Sequence, residues 1–167
     1  MVVIVRARTL ADFREVHALI ADMGRWDVSQ CEARGLQSSG VMSAYYSDDA
    51  ASLQAKCTLP DTGMYLARVG TDAMGCVGYL GHGDVAEIIK FFVRPEARGK
   101  GAGRRLIETA LDAIQQSEFR KVNLVTIAFM EDAIALYRRL GFRDCDAFEP
   151  APEGLEEATR YMEMAIG

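Results

Sequence analysis

The stretch from residue 85 to residue 128 constrains the fold more than any other part of the chain. Residues 85–93 (VAEIIKFFV) are almost continuously apolar, which is typical of a central strand covered on both faces. Residues 103–117 then carry apolar residues at helical spacing, and residues 121–128 (KVNLVTIA) are strand-like again. A strand, a helix and a second strand in this order need a crossover connection. The order therefore predicts parallel pairing of the two strands with a right-handed crossover.

The segments around this unit predict antiparallel strands and additional helices. Residues 64–69 and 74–81 flank a turn signal at residues 70–73, which predicts a hairpin. Thr9 and Asp12 form a capping-box pattern at the start of a helix. The other expected elements are strands at 2–8, 142–148 and 158–166, helices at 10–24 and 131–140, and loops with one or two short helices over 25–62. The fold class is therefore α/β, with a mixed sheet and helices packed on its faces, in a single domain over residues 1–167.

Charge and composition argue against several functional classes. The chain has a net charge of −5, so we expect no nucleic-acid partner and no attraction to anionic membranes. It has no apolar run of membrane-spanning length, and its opening MVVIVR has too few apolar residues for the core of a signal peptide. Its four cysteines form no CxxC pair and fit the reduced thiols of a cytoplasmic protein. With only two histidines, no metal site is expected.

A basic, glycine-rich turn lies between the apolar strand and the helix that follows it. Residues 94–106 (RPEARGKGAGRRL) hold Gly99, Gly101 and Gly103 at alternating positions, with five cations and one anion among residues 94–105. Backbone N–H groups at a helix start have no partners within the helix, and glycine lets a ligand's oxygens approach them closely. The turn is therefore either a cradle for a phosphate-bearing ligand or a capping turn with a solvated basic face. Neither the Walker A pattern nor the G-x-G-x-x-G fingerprint matches it.

Residues 87–142 resemble the GNAT family of N-acetyltransferases, which transfer an acyl group from acetyl-CoA. Residues 98–103 (RGKGAG) match that family's pattern of Arg or Gln, two residues, Gly, one residue, then Gly or Ala. Residues 133–142 (AIALYRRLGF) are similar to its later helix and the start of the next strand. The resemblance implies a mostly antiparallel sheet of about six to seven strands with helices on both faces. It implies that residues 85–128 form the acetyl-CoA-binding core. The resemblance is poor over residues 25–62, which we expect to form the variable acceptor-side region.

The resemblance also implies which residues bind the acetyl-CoA co-substrate. Phe91, Phe92 and Val93 would hydrogen-bond the pantetheine arm through their main chain, as an added strand pairs with a sheet edge. Met130 and Ala133 mark the later helix, and Met130 stands where many family members have an Asn that contacts CoA. The pyrophosphate would lie on the backbone of the turn, formed by Arg98, Gly99, Lys100, Gly101, Ala102, Gly103 and Arg104.

Two residues are candidates for the proton transfers that accompany acyl transfer to an amine. An ammonium ion has no lone pair, so a base must first remove a proton from it. Glu87, a lone carboxylate in an apolar strand, is either this base or a solvated residue paired with Lys90. Tyr137 matches the family's tyrosine that donates a proton to the departing CoA sulfur. On spacing alone, it is a core aromatic residue beside Leu136 and Leu140.

The sequence leaves the acceptor open. Arg25, Trp26, Tyr45 and Tyr46 fall where the family builds its acceptor pocket, and ordinary packing explains them equally well. We expect a cytoplasmic enzyme that acetylates a primary amine of a small molecule or a peptide by direct transfer in a ternary complex. Homodimers are common among similar proteins. The alternative is a non-catalytic acyl-CoA-binding sensor or regulatory module, which would need neither candidate proton-transfer residue.

Overall fold

The computed structural model describes residues 1–167, apart from the side chain of Ala44. In chain order, the elements are β1 (Val2–Arg6), α1 (Leu10–Ala33), α2 (Ser39–Tyr45), α3 (Ala50–Cys57), β2 (Gly63–Val69), β3 (Asp72–His82), β4 (Val85–Val93), α4 (Ala102–Gln115), β5 (Lys121–Ile127), α5 (Glu131–Arg139), β6 (Arg143–Asp144) and β7 (Thr159–Ala165). A 3-10 turn at Pro95–Ala97 precedes α4. None of the helices in the described residues has the combination of length and apolar content that crossing a bilayer requires.

The strands form a seven-stranded sheet in the order β1-β2-β3-β4-β5-β7-β6. β4 and β5 pair in parallel, and every other neighbouring pair is antiparallel. Helix α4 provides the crossover between β4 and β5, as the strand-helix-strand order predicted. Gly70 and Thr71 form the hairpin turn between β2 and β3, since Val69 pairs with Asp72. The predicted mixed, mostly antiparallel sheet is therefore confirmed.

Helices cover both faces of the sheet, as predicted. Alternate residues of β2 supply the two hydrophobic cores: Tyr65 and Ala67 pack in the core that includes α4 and α5, whereas Met64 and Leu66 pack with α1 and α3. The apolar stripe that predicted α4 is buried throughout and comprises Leu106, Ile107, Ala110, Leu111 and Ile114. Removing these side chains from water is the main force that holds the layers together.

Helix α1 runs well past its predicted end at residue 24. It begins as expected, because Thr9 and Asp12 form the predicted capping box. Its buried face then continues through Met23, Asp27 and Cys31, which lie four residues apart. A polar residue in the middle of this buried face interrupts the apolar periodicity on which the prediction depended. The first part of the region predicted as loops with one or two short helices therefore belongs to α1, and the two short helices α2 and α3 follow it.

Strand β6 comprises two residues, whereas the sequence predicted a strand over 142–148. The pairing extends by one backbone hydrogen bond of 3.0 Å, from the N–H of Cys145 to the carbonyl of Tyr161. Pro150 and Pro152 follow a few residues later, and proline has no N–H to donate to a strand ladder. The chain consequently leaves the sheet soon after β6 and returns as β7.

Candidate active site

A cavity of about 160 Å³ lies where β4 and β5 separate. Within the described residues, the two strands pair only at Val85–Lys121, Ala86–Val122 and Glu87–Asn123. The cavity is lined by both strands, by α5 on one side of the sheet and by α1 and α2 on the other. It therefore passes between the two helix layers. The separation of the strands also exposes an edge of β4, along which an extended ligand has room to lie.

A β-bulge in β4 shapes this cavity. The register with β3 shifts between Cys76 and Gly78, so that Lys90 and Phe91 together lie opposite Val77. Lys90 has a φ of 55°, a left-handed conformation that is uncommon for a residue other than glycine. A bulge bends its strand and redirects the side chains next to it. Here, both residues of the bulge line the cavity.

Tyr137 lies on α5, where Met130, Ala133 and Tyr137 line the cavity from one side. Its side chain is 4% exposed, and its ring packs between Phe91 and Phe142 at centroid distances of 5.8 Å each. Burial raises the pKa of the Tyr137 hydroxyl well above its ordinary value, so this group keeps its proton at neutral pH. Tyr137 is therefore packed in the core, as its spacing predicted, and it also places a proton donor at the wall of the cavity.

Glu87 lines the same cavity from β4, two residues after the strand begins. Its Oε2 atom lies 3.1 Å from Nε2 of His82. The Glu87 side chain is 22% exposed and that of His82 is 60% exposed, so the pair joins the cavity to solvent. Lys90, the alternative partner of Glu87, donates instead to the carbonyl of Tyr45. Burial raises the pKa of Glu149, and the negative charge of Glu87 raises it further.

Asp27 is a cavity residue that the sequence did not suggest. The hydroxyl of Tyr46 donates a hydrogen bond to Asp27 Oδ2, and Asp27 Oδ1 is buried without a hydrogen-bond partner in the described structure. Asp27 is 4% exposed, and burial raises its pKa to about 6 although the bond from Tyr46 acts in the opposite direction. Its spacing from Met23 and Cys31 on α1 is the signal that could have identified it. Among the described residues, no group of three or more His, Cys, Asp or Glu side chains is arranged to hold a metal ion.

The four predicted acceptor residues occupy three different places. Tyr45 and Tyr46 line the cavity. Arg25 is exposed, forms an ion pair with Asp22, and lines a separate groove between α1 and α2 that has Tyr46 as a shared wall. Trp26 packs edge-on against an aromatic ring of the β5–α5 connection and lies near the glycine-rich turn instead of lining the cavity.

The glycine-rich turn has an open backbone at its centre. Gly99 and Gly101 have φ values of 74° and 79°, and a Cβ atom added at either would meet nothing within 4 Å. Gly101 is the N-cap of α4 and has no side chain that could cap the helix. The first N–H groups of α4 therefore receive no hydrogen bond from an N-cap side chain. Backbone N–H groups of this kind, at the positive end of a helix dipole, favour a bound anion.

All five basic side chains of the turn form hydrogen bonds or ion pairs with other groups of the protein. Arg94 contacts Asp22 at 2.8 Å, and Arg104 contacts Glu108 at 2.7 Å. Nε of Arg98 donates to the carbonyl of Val93 at 2.9 Å. Arg105 donates to the carbonyl of Val2, and Lys100 donates to that of Glu96 at 3.1 Å. The local positive charge is thus partly compensated, and the backbone N–H groups are the most available donors.

Phe91 connects this turn to the cavity. A Cβ atom added at Gly103 would lie 3.1 Å from Cζ of Phe91, whose ring also contacts Tyr137. Phe92 and Val93 do not line the cavity: they are buried, Phe92 in the core on the α1 side and Val93 in the core on the α4 side. Of the three strand residues expected along a ligand's arm, Phe91 is therefore the one whose side chain reaches the cavity.

Comparison with known proteins gives a consistent result. The family model described as the acetyltransferase (GNAT) family matches residues 28–142. The chain is 33% identical over 109 residues to the IAA acetyltransferase of Azospirillum brasilense, covering 64% of this chain and 70% of that protein. It is 38% identical over 63 residues to the uncharacterised N-acetyltransferase YjgM of Escherichia coli, covering 38% of each. The chain thus spans well under half the length of the Escherichia coli protein in that match.

The fold is also similar to solved structures over the whole chain. The PaiA N-acetyltransferase of Thermoplasma acidophilum, solved in complex with coenzyme A, has a TM-score of 0.76 to this chain at 16% identity. The match covers 99% of each chain. At this identity the likeness shows a common fold, and the site itself has to be argued from the residues described above.

Proposed function

The chain belongs to the acetyltransferase (GNAT) family, and we propose that it transfers an acetyl group from acetyl-CoA to a primary amine within a ternary complex. The observation that carries this proposal is the cavity between β4 and β5, which brings Glu87 and Tyr137 to one space beside the glycine-rich turn. Two proton-transfer groups in one cavity, next to a bare helix start, are what an acetyl transfer of this kind requires.

The residues fit acetyl-CoA as the co-substrate in two respects. The turn around Gly99 and Gly101 is open, and its N–H groups would hold the pyrophosphate, assisted by Lys100. The separated edge of β4 would hold the pantetheine arm by backbone pairing, with Phe91 between the turn and the cavity. When bound, acetyl-CoA supplies the thioester carbon that the amine attacks.

Glu87 would take the proton that the acceptor ammonium must lose. Ammonium ions of this type have a pKa of about 10.4, so at neutral pH nearly all of the acceptor is protonated when it binds. His82, which contacts Glu87 and is largely exposed, would pass that proton to solvent. Glu87 thus has a defined role as the base, and Lys90 does not compete for it because Lys90 donates to the carbonyl of Tyr45.

Tyr137 would donate its hydroxyl proton to the sulfur as the carbon–sulfur bond breaks. Its raised pKa keeps the hydroxyl protonated until the thiolate develops beside it. The ammonium loses two protons in all. The first would leave through Glu87, and the second, released from the nitrogen as the amide forms, would replace the proton that Tyr137 gives to the sulfur. Packing against Phe91 and Phe142 would fix the hydroxyl in position.

The proposal places this reaction in the cytoplasm. The support is the state of the cysteines: Cys31, Cys57, Cys76 and Cys145 are free thiols, and the first three are buried. Homodimer formation stays a prediction from the resemblance to the family.

The experiment that tests the proposal measures acetyl-CoA binding and thiol release separately. Acetyl-CoA at millimolar concentration should raise the melting temperature, because it binds the folded state. A panel of primary amines should then include at least one that releases CoA thiol at a rate proportional to enzyme concentration. A melting shift without amine-dependent release across the panel would favour the sensor module, and the absence of both would contradict the cofactor assignment.

A further inference from the structure

Asp27 is a charged residue of the cavity that the proposed reaction does not use. It lines the cavity from α1, and its side chain is 4% exposed. Oδ2 accepts a hydrogen bond from Tyr46, whereas the buried Oδ1 has no partner in the described structure. An ionised carboxylate with one unpartnered oxygen destabilises a folded protein, because burial removes the water that would solvate it.

Neighbouring cations do not neutralise Asp27. Arg25, its near neighbour in α1, pairs with Asp22. The amino group of Lys90 donates to the carbonyl of Tyr45 and lies 5.5 Å from the centre of the Tyr46 ring. Tyr46 thus contacts the carboxylate with its hydroxyl and the ammonium with its ring, and no ion pair joins the two charges in the described residues.

The cavity therefore has two carboxylates in different environments. Glu87 contacts His82, which opens to solvent, so a proton taken up there has a way out. Asp27 is buried and is covered by Tyr46, so it has no comparable contact with solvent. A group that must exchange protons suits the first environment. A group that binds a charge without exchanging protons suits the second.

We propose that Asp27 binds a positively charged group that the acceptor carries in addition to the amino group that receives the acetyl. The inference rests on the proposed function, which supplies the reacting amine and assigns it to Glu87. The acceptor class is then a small molecule with two basic groups, of which an α,ω-diaminoalkane is the simplest. The second ammonium would complete the coordination of Oδ1, and the aromatic side chains of Tyr45 and Tyr46 would add a favourable environment for a cation.

The test compares acceptors that differ only in the second charge. n-Alkylamines, ω-amino alcohols and α,ω-diaminoalkanes of three to five carbons would be assayed for thiol release with the wild-type enzyme and with Asp27→Asn. Asparagine keeps the size of the side chain and an oxygen that accepts from Tyr46, but it removes the charge. We expect kcat/KM of the wild type to be about tenfold or more higher for the diamine than for the monoamine of equal length, with the amino alcohol near the monoamine. In Asp27→Asn this ratio should fall close to one.

Controls separate this role from a structural one and from failure of the proposed function. Glu87→Gln should lower kcat for all acceptors alike and leave the diamine preference intact. An equal loss of activity towards every acceptor in Asp27→Asn would assign Asp27 to packing and overturn the inference. A wild-type preference for singly charged acceptors, or a ratio that Asp27→Asn leaves unchanged, would also overturn it. In both cases the acetyl transfer itself would stand, whereas acetyl-CoA binding with no amine consumed would contradict the proposed function.

Discussion

The hydroxyl of Tyr46 is hydrogen-bonded to Asp27, nineteen residues earlier in the chain, and this contact closes one wall of the cavity. It ties α1 to the residue that follows α2. The bond satisfies only one oxygen of the carboxylate, and the other remains buried without a partner in the described structure. The contact therefore stabilises this wall of the cavity and leaves one carboxylate oxygen able to accept a further hydrogen bond.

Asp27→Asn should raise the stability of the free protein at high pH. The pKa of Asp27 is about 6 in the folded state against an ordinary 3.8, so the folded state holds this proton more tightly than the unfolded state does. Ionisation consequently lowers the free energy of unfolding as pH rises from about 4 to about 6. Burial and the charge of Asp27 raise the pKa values of Tyr46 and Cys31, so both groups stay protonated in this range. Removing the charge should stabilise the fold by up to about 3 kcal/mol at pH 8, measured by urea unfolding, and by little at pH 4.

Asp12→Asn in the same helix is the matched control, with the opposite sign. Hydrogen bonds from the backbone N–H groups of Arg8 and Thr9 lower the pKa of Asp12. Its charge therefore stabilises the folded state above the ordinary pKa, and this contribution is lost as pH falls. Asp12→Asn should destabilise the protein at neutral pH. A lower stability of Asp27→Asn at pH 8 would mean that its charge is compensated in the fold.

The sequence was sufficient to predict the elements that have a local signal. The strand-helix-strand order fixed the parallel pairing of β4 and β5, and the capping pattern at Thr9 fixed the start of α1. The spacing of Asp27 from Met23 and Cys31 could have placed it on the buried face of α1. Its contact with Tyr46 was not predictable, because that contact forms only in the folded chain. The bulge at Lys90 was also not predictable from the sequence, because it depends on the register between β3 and β4.

Gly101→Glu should abolish acetyl-CoA binding. The added carboxylate would lie in the open turn where the proposed pyrophosphate binds, and like charges at short range weaken binding by about a hundredfold or more. Gly70→Glu is the matched control, because Gly70 also has a positive φ, of 62°, with open space around it, but lies in the hairpin between β2 and β3. Both variants carry the same backbone strain. Equal acetyl-CoA affinity in the two, measured by calorimetry, would place the pyrophosphate elsewhere.

Tyr137→Phe should lower kcat by about a hundredfold and change acetyl-CoA affinity little, because it removes the proton donor and keeps the ring between Phe91 and Phe142. Tyr79→Phe removes a hydroxyl from another buried ring, which packs on Phe119 outside the cavity, and should leave kcat unchanged. Steady-state kinetics with a saturating amine would measure both effects. Full activity in Tyr137→Phe would return this residue to a packing role.

His82→Gln should lower kcat less than Glu87→Gln does. Glu87 would take the proton from the acceptor, whereas His82 would only hold that carboxylate and release the proton to solvent. We expect the loss in His82→Gln to be partly restored by added imidazole, which can carry protons in its place. His17→Gln, in the groove beside α1, is the control and should behave like the wild type. A larger loss in His82→Gln than in Glu87→Gln would reverse the two roles.

Trp26 should report the binding of acetyl-CoA by its fluorescence. It is the sole tryptophan of the sequence, and its ring centre lies 5.1 Å from the guanidinium carbon of Arg98 in the glycine-rich turn. A pyrophosphate bound at this turn would attract Arg98 and so change the charge above the indole ring. Titration with acetyl-CoA should therefore change the emission of Trp26, with a midpoint equal to the Kd from calorimetry. Arg98→Met should lose the response while it still binds, since the backbone N–H groups remain. Unchanged emission at a concentration where binding is complete would mean that the ligand does not reach this turn.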